Sequence, residues 1–242
     1  MKPPATDPWA SLRAHTPARI GLARSGSALA TKALLEFRAD HARARDAVGD
    51  VLDAAALAAA LAPMGEVLGV ASAAVDRATY LRRPDLGRRL DAASEASLAA
   101  HRGEYDLVLV IADGLSPSAT RAAPALIAAL LGRLGGWRLA PFVVARQARV
   151  ALGDAIAAAL GAGAVAVLIG ERPGLSVPVS LGAYLTWRPR PGSTDAERNC
   201  LSNIHALGTP PAAAAQRLAG LLAAMRQRGL SGVGLKDEGE LL

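Results

Sequence analysis

The sequence predicts an α/β protein whose Rossmann-like parallel sheet carries helices on both faces, preceded by a mostly helical N-terminal region. Apolar, strand-like runs occur at residues 105–112, 138–146 and 164–170, and such runs are typical of strands that are buried on both faces. Helical stretches at residues 118–134 and 152–162 separate these runs. The alternation of strand and helix predicts parallel strands that are joined by helical crossovers.

The region before residue 103 is predicted to be mainly helical. Residues 1–30 are interrupted by prolines and are predicted to be irregular. Residues 31–48 have helical spacing, with Thr31 as the predicted N-cap. An alanine- and leucine-rich helix is predicted at residues 51–62, and residues 80–101 are predicted to begin as a loop and to end as a helix.

The C-terminal part completes the predicted domain. A shorter strand is predicted at residues 182–188, and a helix at residues 210–228 begins at two prolines, which suit the first turn of a helix. We therefore divide the chain into a mostly helical region at residues 1–102 and a Rossmann-like domain at residues 103–242.

Most of the positive charge of the chain is expected to be an ordinary arginine-rich surface, and a phosphate-bearing ligand or an acidic partner surface would explain the rest. The formal net charge is +6, and almost all positive side chains are arginines, which bind carboxylates and phosphates through a planar fork of donors. The segment from Tyr80 to Arg89 concentrates arginines, as nucleic-acid-binding segments also do. Because lysines are few and aromatic residues make up only 3% of the chain, we favour an interface or a phosphate anchor over nucleic acid.

The sequence predicts a cytoplasmic protein without a membrane partner. Cys200 is the only cysteine, so no disulfide can form within the chain. Residues 1–9 lack the basic and then apolar layout of a signal peptide. No stretch reaches the roughly 18 uninterrupted apolar residues that a membrane span needs.

The sequence has no nucleotide-binding or metal-binding motif in a position where it could work. A GxGxxA pattern occurs at residues 161–166, but it ends a predicted helix and precedes a strand, whereas a dinucleotide loop follows a strand and opens a helix. We expect a helix C-cap there. The chain has no Gly-Lys pair for a P-loop and no GxSxG element. Its histidines are scattered without paired ligand spacing, so no metal site is predicted.

The loops that follow the predicted strands are the candidate binding positions, because ligands of such sheets lie at the carboxyl ends of the strands. They span residues 113–117, 146–150 and 171–176. Glu171 and Arg172 suit ligand capture, or they form an ion pair in an ordinary turn. Asp113 and the residues after it suit ligand contact or a turn that ends in a helix cap. Cys200 remains open between a nucleophile, an inert packed thiol and a contact to a bulky ligand.

Several blocks occur together and in order over nearly the whole chain, and with them the sequence resembles the light (small) subunit of ethanolamine ammonia-lyase. The blocks are TPARI at residues 16–20, LLEFRADHARARD at 34–46, YLRRPDLGRRL at 80–90, IADGLS at 111–116, RV at 149–150, GERPGL at 170–175, ERNCLSNIH at 197–205 and GTPP at 208–211.

The resemblance implies an adenosylcobalamin-dependent lyase that converts ethanolamine to acetaldehyde and ammonia. It implies a TIM-barrel large subunit that carries the substrate site, a contact between residues 1–102 and that subunit, and a higher oligomer of heterodimers. Carried over by motif, the cobalamin-binding residues are Val150, Glu171 and Cys200, and no catalytic or metal-ligating residue is expected on this chain.

Two further expectations follow from the resemblance. The pattern DxHxxG, in which a histidine replaces the lower base of cobalamin, is absent, so we expect cobalamin to bind with its own base on cobalt. Some relatives carry a longer N-terminal extension that directs them to a bacterial microcompartment. Here the segment Asp7-Pro8-Trp9 lies almost at the start of the sequence, so encapsulation is doubtful. A free-standing Rossmann-like module that binds a nucleotide or nucleic acid is the alternative function.

Overall fold

The computed structural model describes residues 8–16, 18–22 and 24–236. Part of the irregular segment predicted at residues 1–30 therefore lies outside the described residues. The helices are α1 (Ala10–Arg13), α2 (Thr31–Gly49), α3 (Ala54–Leu61), α4 (Arg77–Arg82), α5 (Ala92–Ala100), α6 (Ala123–Leu131), α7 (Leu152–Leu160) and α8 (Pro211–Arg228). The strands are β1 (Arg24–Ser25), β2 (Ala28–Leu29), β3 (Val67–Ala71), β4 (Val108–Ala112), β5 (Phe142–Arg146), β6 (Ala164–Gly170), β7 (Leu181–Trp187) and β8 (Arg198–Ile204).

One six-stranded sheet organises the chain, and the predicted α/β class is confirmed. The strand order is β3-β5-β4-β6-β7-β8. Strands β5, β4 and β6 are parallel, as predicted, and β3 joins them in parallel, whereas β7 and β8 are antiparallel additions at one edge. The sheet is therefore mixed rather than wholly parallel.

Helices cover both faces of the sheet, as predicted. Helices α3, α6 and α8 pack on one face, where the apolar core includes Leu61, Ile127 and Leu222. Helices α5 and α7 pack on the other face, where it includes Leu98 and Ile156. Strands β4 and β6 are buried at every position, which explains why their sequences read as apolar runs without alternation.

The N-terminal region contributes more than helices. Strand β3 pairs in parallel with β5 and forms one edge of the main sheet, although the sequence analysis did not predict a strand there. The sheet thus takes one strand from before residue 103, and the division of the chain at that point stays a prediction. Helix α2 has 19 residues, of which Ala47 is buried. Among the described residues no single helix is long and apolar enough to span a membrane; only the strongly bent pair of α2 with residues Ala54–Met64 meets the criterion of length and composition.

The strand that contains Cys200 was not predicted from the sequence. Residues Arg198–Ile204 form β8, which pairs antiparallel with β7. It was missed because β8 is an edge strand in which Leu201 and Ile204 face the core while Cys200 and Asn203 are exposed. Such a strand carries polar residues on its open side and lacks a continuous apolar run.

The helix ends test three further expectations. Thr31 is not the N-cap of α2, because Ala30 occupies that position without a side-chain hydrogen bond. Helix α8 begins at Pro211, as predicted. Gly161 ends α7 with a φ of 79°, so the GxGxxA pattern is a helix C-cap, as expected.

The turns that follow β4 and β6 touch each other through their backbones. Leu115 N donates a hydrogen bond to the carbonyl of Gly170 at 2.9 Å. A Cβ atom added to Gly170 would lie 2.1 Å from the carbonyl oxygen of Ser116 and 2.5 Å from that of Asp113. The carboxyl ends of these two strands are therefore locked together, with no room for a side chain.

We expect the substitution Gly170→Ala to destabilise the chain by about 1–3 kcal/mol, because the added methyl group must displace backbone. The measurement is the urea midpoint of unfolding. Gly69→Ala in β3 is the matched control, since nothing lies within 4 Å of a Cβ built there. Equal midpoints for the two variants would contradict the role given to the close approach.

Candidate functional site

Glu171 lies directly after β6, at the carboxyl end of the sheet, and its side chain folds back over β7. One carboxylate oxygen accepts hydrogen bonds from Ser180 Oγ at 2.5 Å and from Asn203 N at 3.3 Å. The other oxygen would lie 2.7 Å from a Cβ atom on Gly182. The bare backbone of Gly182 thus makes room for the carboxylate. Of the two alternatives left open for Glu171, a local ion pair with Arg172 is not what holds its carboxylate.

Cys200 and Tyr184 face each other across the β7–β8 pair. Their Cα atoms are partners in the register of the two strands, and their side chains share a hydrogen bond. The charge of Glu171 acts on both groups, so the carboxylate lies close to them. We call Glu171, Ser180, Tyr184 and Cys200 the Glu171 cluster.

The thiol and the phenol of this cluster are neutral groups near pH 7. Loss of hydration among the surrounding protein atoms raises the pKa of the exposed Cys200 thiol, the hydrogen bond from Tyr184 opposes that shift, and the charge of Glu171 adds to it. Burial is also the largest cause of the raised pKa of Tyr184. A raised thiol pKa is the opposite of what activates a nucleophile, so Cys200 fits a packing contact better than a nucleophile.

Val150 lies in the turn between β5 and α7, and a buried carboxylate holds the start of this turn. Asp113, which follows β4, accepts hydrogen bonds from Gln147 N at 2.7 Å and Ala148 N at 2.9 Å. Gln147 has a φ of 53°, a backbone conformation that is uncommon for a residue with a side chain. Burial is the largest cause of the raised pKa of Asp113. The turn before Val150 is thus held in an unusual conformation by its neighbour strand.

Tyr80 also holds the turn before Val150. Its hydroxyl donates to the carbonyl of Ala148 at 3.1 Å, and its ring is fully buried. The guanidinium groups of Arg149 and Arg77 lie over the ring, with their central carbons 4.3 Å and 4.9 Å from its centroid, distances that suit cation–π contacts. The arginine-rich segment from Tyr80 to Arg89 therefore reaches the turn that carries Val150.

A buried ion pair joins helix α7 to strand β8. The guanidinium of Arg198 donates to both carboxylate oxygens of Asp154, at 2.7 Å and 2.6 Å, and also to Thr186 Oγ1 at 3.0 Å. Both charged side chains are 2% exposed. This pair fixes the distance between the Val150 end of α7 and the strand that carries Cys200.

A groove of about 1130 Å³ begins at Val150 and runs across the outer face of α7. We call it the α7 groove. It is lined by Arg88, Arg89, Leu90, Glu95, Arg149, Val150, Ala151, Ala155, Ala158, Ala159, Pro191, Gly192, Ser193, Thr194, Asp195 and Arg198.

The three predicted binding residues occupy one side of the sheet but not one contact cluster. Glu171 and Cys200 meet in the Glu171 cluster, and Val150 packs with Tyr184 against the core on the α7 face. Their assignment to cobalamin stays a prediction. The sequence analysis missed Tyr184 and Ser180, although the two-residue period of β7 could have placed Gly182 and Tyr184 on one face. In the part of the chain that the structure describes, no group of three or more His, Cys, Asp or Glu side chains could hold a metal ion.

Comparison with known proteins gives the same family as the sequence blocks. A family model described as "Ethanolamine ammonia-lyase light chain (EutC)" matches residues 6–236. The chain belongs to the ethanolamine ammonia-lyase light-chain family. The light-chain model matches one span, residues 6–236, so the shared blocks belong to a single match over nearly the whole chain.

Curated relatives of this light chain extend the comparison. The chain is 57% identical to the "Ethanolamine ammonia-lyase small subunit" of Rhodopseudomonas palustris (strain BisA53) over 235 residues, which cover 95% of this chain and 90% of that protein. It is 54% identical to the protein of the same name from Bradyrhizobium diazoefficiens, over 96% of this chain and 91% of that protein. For Pseudomonas syringae pv. tomato the identity is 49%, over 97% and 85%.

The thiol of Cys200 provides a direct test of the Glu171 cluster, because it is the only cysteine of the chain. We expect the pKa of Cys200 to lie above the ordinary value of 9.0. Glu171→Gln should lower this pKa, because it removes a neighbouring negative charge. Tyr184→Phe should raise it further, because it removes a donor to the thiolate. The pH dependence of the alkylation rate with iodoacetamide measures both shifts, and shifts of the same sign would refute the arrangement.

Asp113 provides a test of the turn that carries Val150. The substitution Asp113→Asn should cost about 1–3 kcal/mol of stability, because the amide nitrogen cannot accept from a backbone N–H that then stays buried without a partner. Urea unfolding measures this cost. Asp53→Asn is the control: Asp53 accepts from Ala56 N as the N-cap of α3, where asparagine is an equally good residue, so its midpoint should stay unchanged. A neutral effect of Asp113→Asn would contradict the proposed support.

Proposed function

We propose that this chain is the small subunit of an adenosylcobalamin-dependent ethanolamine ammonia-lyase and that it holds the cofactor against a large subunit with the substrate site. Membership in the light-chain family carries this proposal, since the relatives bear the name of the small subunit of that enzyme. The Glu171 cluster supports it, because it combines two of the three predicted cobalamin contacts, Glu171 and Cys200, on an open face of the sheet.

The residues of the site fit a corrinoid. The corrin rim carries amide side chains, whose N–H groups are donors, and Glu171 offers carboxylate oxygens as acceptors at the sheet edge. Val150, Tyr184 and Cys200 add apolar and soft neutral surface for the ring itself. Arg149 precedes Val150 in the chain, and its terminal nitrogens make only one long hydrogen bond within the described residues, so it keeps donors for an acceptor.

The work of this chain is binding and shielding. Adenosylcobalamin, when bound, supplies radical chemistry through its cobalt–carbon bond. Glu171 would orient the ring by accepting hydrogen bonds from its rim, and the β7–β8 face would exclude water from one side of it. No residue of this cluster is proposed as a catalytic acid, base or nucleophile, because the raised pKa of Cys200 disfavours a thiolate and hydrogen bonds from Ser180 and Asn203 hold the Glu171 carboxylate.

We also propose that cobalamin binds with its own base on cobalt. His205 follows the strand that carries Cys200, but both of its ring nitrogens are engaged within the chain. Nε2 lies 2.6 Å from Asn203 Oδ1, and Nδ1 accepts from Leu207 N at 3.2 Å. These contacts favour a structural role for His205 over ligation of cobalt.

A TIM-barrel large subunit is the proposed partner, in a higher oligomer of heterodimers, and residues 1–102 are the proposed contact region. Helix α2 supports this, because Leu35 and Phe37 are 58% and 38% exposed. Exposed apolar surface of this kind indicates an interaction site.

Co-expression with the large subunit should give ammonia release that depends on both ethanolamine and cobalamin, and full activity of the large subunit alone would contradict the proposal.

The substitution Glu171→Gln should weaken cobalamin binding to the assembled enzyme by about tenfold or more, because a charge-assisted acceptor is lost. Equilibrium titration of the apoenzyme with cyanocobalamin measures the affinity, and circular dichroism checks the fold. Glu104→Gln is the matched control, because the Glu104 side chain is 90% exposed and pairs with Arg138. An unchanged affinity in the Glu171 variant would remove Glu171 from the site.

A further inference from the structure

The α7 groove carries positive charge that the predicted contact of Val150 with the corrin ring does not explain. Four arginines line it, Arg88, Arg89, Arg149 and Arg198, against two carboxylates, Glu95 and Asp195. Since arginine is the side chain that best matches phosphate and carboxylate oxygens, the composition of the groove points to an anionic occupant.

Two of these arginines are already neutralised within the chain, and two are not. Arg198 is committed to Asp154 by two hydrogen bonds, and Arg89 lies 3.9 Å from Asp85. Among the described residues, no carboxylate forms an ion pair with Arg88 or Arg149. The uncompensated charge therefore lies next to Val150, because Arg149 precedes Val150 in the chain and Arg149 N donates to the carbonyl of Gly87, the neighbour of Arg88.

Arg149 is held in place but its donors are not all used. Its guanidinium stacks on the ring of Tyr80, and Nη2 makes only a long hydrogen bond of 3.4 Å to the carbonyl of Tyr80. Its Nε is buried and has no hydrogen-bond partner within the described residues. The buried Nε cannot be reached from an open groove, but the terminal nitrogens make only this one long bond within the described residues, so a fixed guanidinium keeps donors for an acceptor.

Helix α7 adds to the same positive end. It begins at Leu152, and the first three N–H groups donate to the carbonyls of residues 149–151, so the helix end contributes partial charge rather than free donors. The N-terminus of a helix carries partial positive charge and favours anions. Val150 and Ala151 both line the groove, so the helix end and the two free arginines face one space.

We propose that Arg88 and Arg149, with the N-terminal end of α7, bind the phosphodiester of the nucleotide tail of cobalamin in the α7 groove. The inference rests on the proposed function, and Val150 provides the connection: it lines the groove and is also a predicted corrin contact. The phosphodiester is the one fixed negative charge on the outer part of the cofactor, and its oxygens match an arginine fork.

The test compares two corrinoids that differ in this group. Cyanocobalamin carries the phosphodiester and the nucleotide, and dicyanocobinamide carries neither. Both are titrated into the apoenzyme that is assembled with its large subunit, for the wild type and for Arg88→Gln, Arg149→Gln and Arg149→Lys. Arg133→Gln is the control, since Arg133 is exposed and bonds only a carbonyl of its own helix, that of Ala129.

We expect Arg149→Gln to weaken cyanocobalamin binding by about tenfold or more and to leave dicyanocobinamide binding unchanged. Arg88→Gln should act in the same direction with a smaller effect, because Arg88 is exposed, and Arg149→Lys should fall between Arg149→Gln and the wild type. Salt should weaken cyanocobalamin binding less in the arginine variants than in the wild type, which separates loss of a charge contact from loss of nucleotide packing.

The possible failures are distinguishable. If the wild type binds both corrinoids and Glu171→Gln weakens both, while neither arginine variant changes the ratio of the two affinities, the inference is overturned and the proposed function stands. Weakened association with the large subunit at an unchanged ratio would assign the arginines to an acidic partner surface and would also overturn it. If the wild type binds neither corrinoid, the proposed function fails as well. If Arg149→Gln does not assemble, Arg88→Gln decides.

Discussion

The buried ion pair between Asp154 and Arg198 is the constraint on which the site depends. It connects two units that the chain could otherwise place independently: the helix that follows β5 and the antiparallel strand at the sheet edge. Asp154 lies one turn after Val150, and Arg198 lies two residues before Cys200. Because both charges are buried, removal of Arg198 would leave Asp154 without compensation at a cost of about 3–5 kcal/mol, whereas Arg198 would keep Asp195 within 3.5 Å. The pair therefore fixes the two halves of the candidate site relative to each other.

The parallel part of the fold could be predicted because its chemistry is uniform. Strands β4 and β6 are buried at every position, and only apolar residues satisfy that environment. The chain lacks comparable signals elsewhere. Strand β3 contains the exposed Gly69 and has a short, partly exposed sequence, and β8 carries polar residues on its open side. The antiparallel direction of β7 depends on how residues 171–180 fold back, which the strand sequence itself does not encode.

The candidate site could also be predicted only in part. The position of Glu171 followed from a general property of open α/β sheets, because a loop that follows a central parallel strand must lie at the carboxyl edge. Its partners could not be derived that way. Ser180 and Asn203 reach the carboxylate from two different elements, and their approach depends on the antiparallel pairing. The sequence left the role of Cys200 open, since a lone cysteine has no spacing to interpret, and only the resemblance to the light-chain family assigned it to cobalamin.

The antiparallel edge of the mixed sheet also leaves the candidate site open to solvent. Tyr184 packs against the core cluster that contains residues of α7, whereas Cys200 is exposed and β8 is the last strand of the sheet. The surface formed by Gly182, Tyr184 and Cys200 is therefore backed by the core and open to solvent. A molecule that lies on it would exchange with solvent at a rate that this polypeptide alone does not control. The residence time of a ligand would then depend on the protein that covers this surface, so that retention of the ligand and association of the subunits would be one kinetic event.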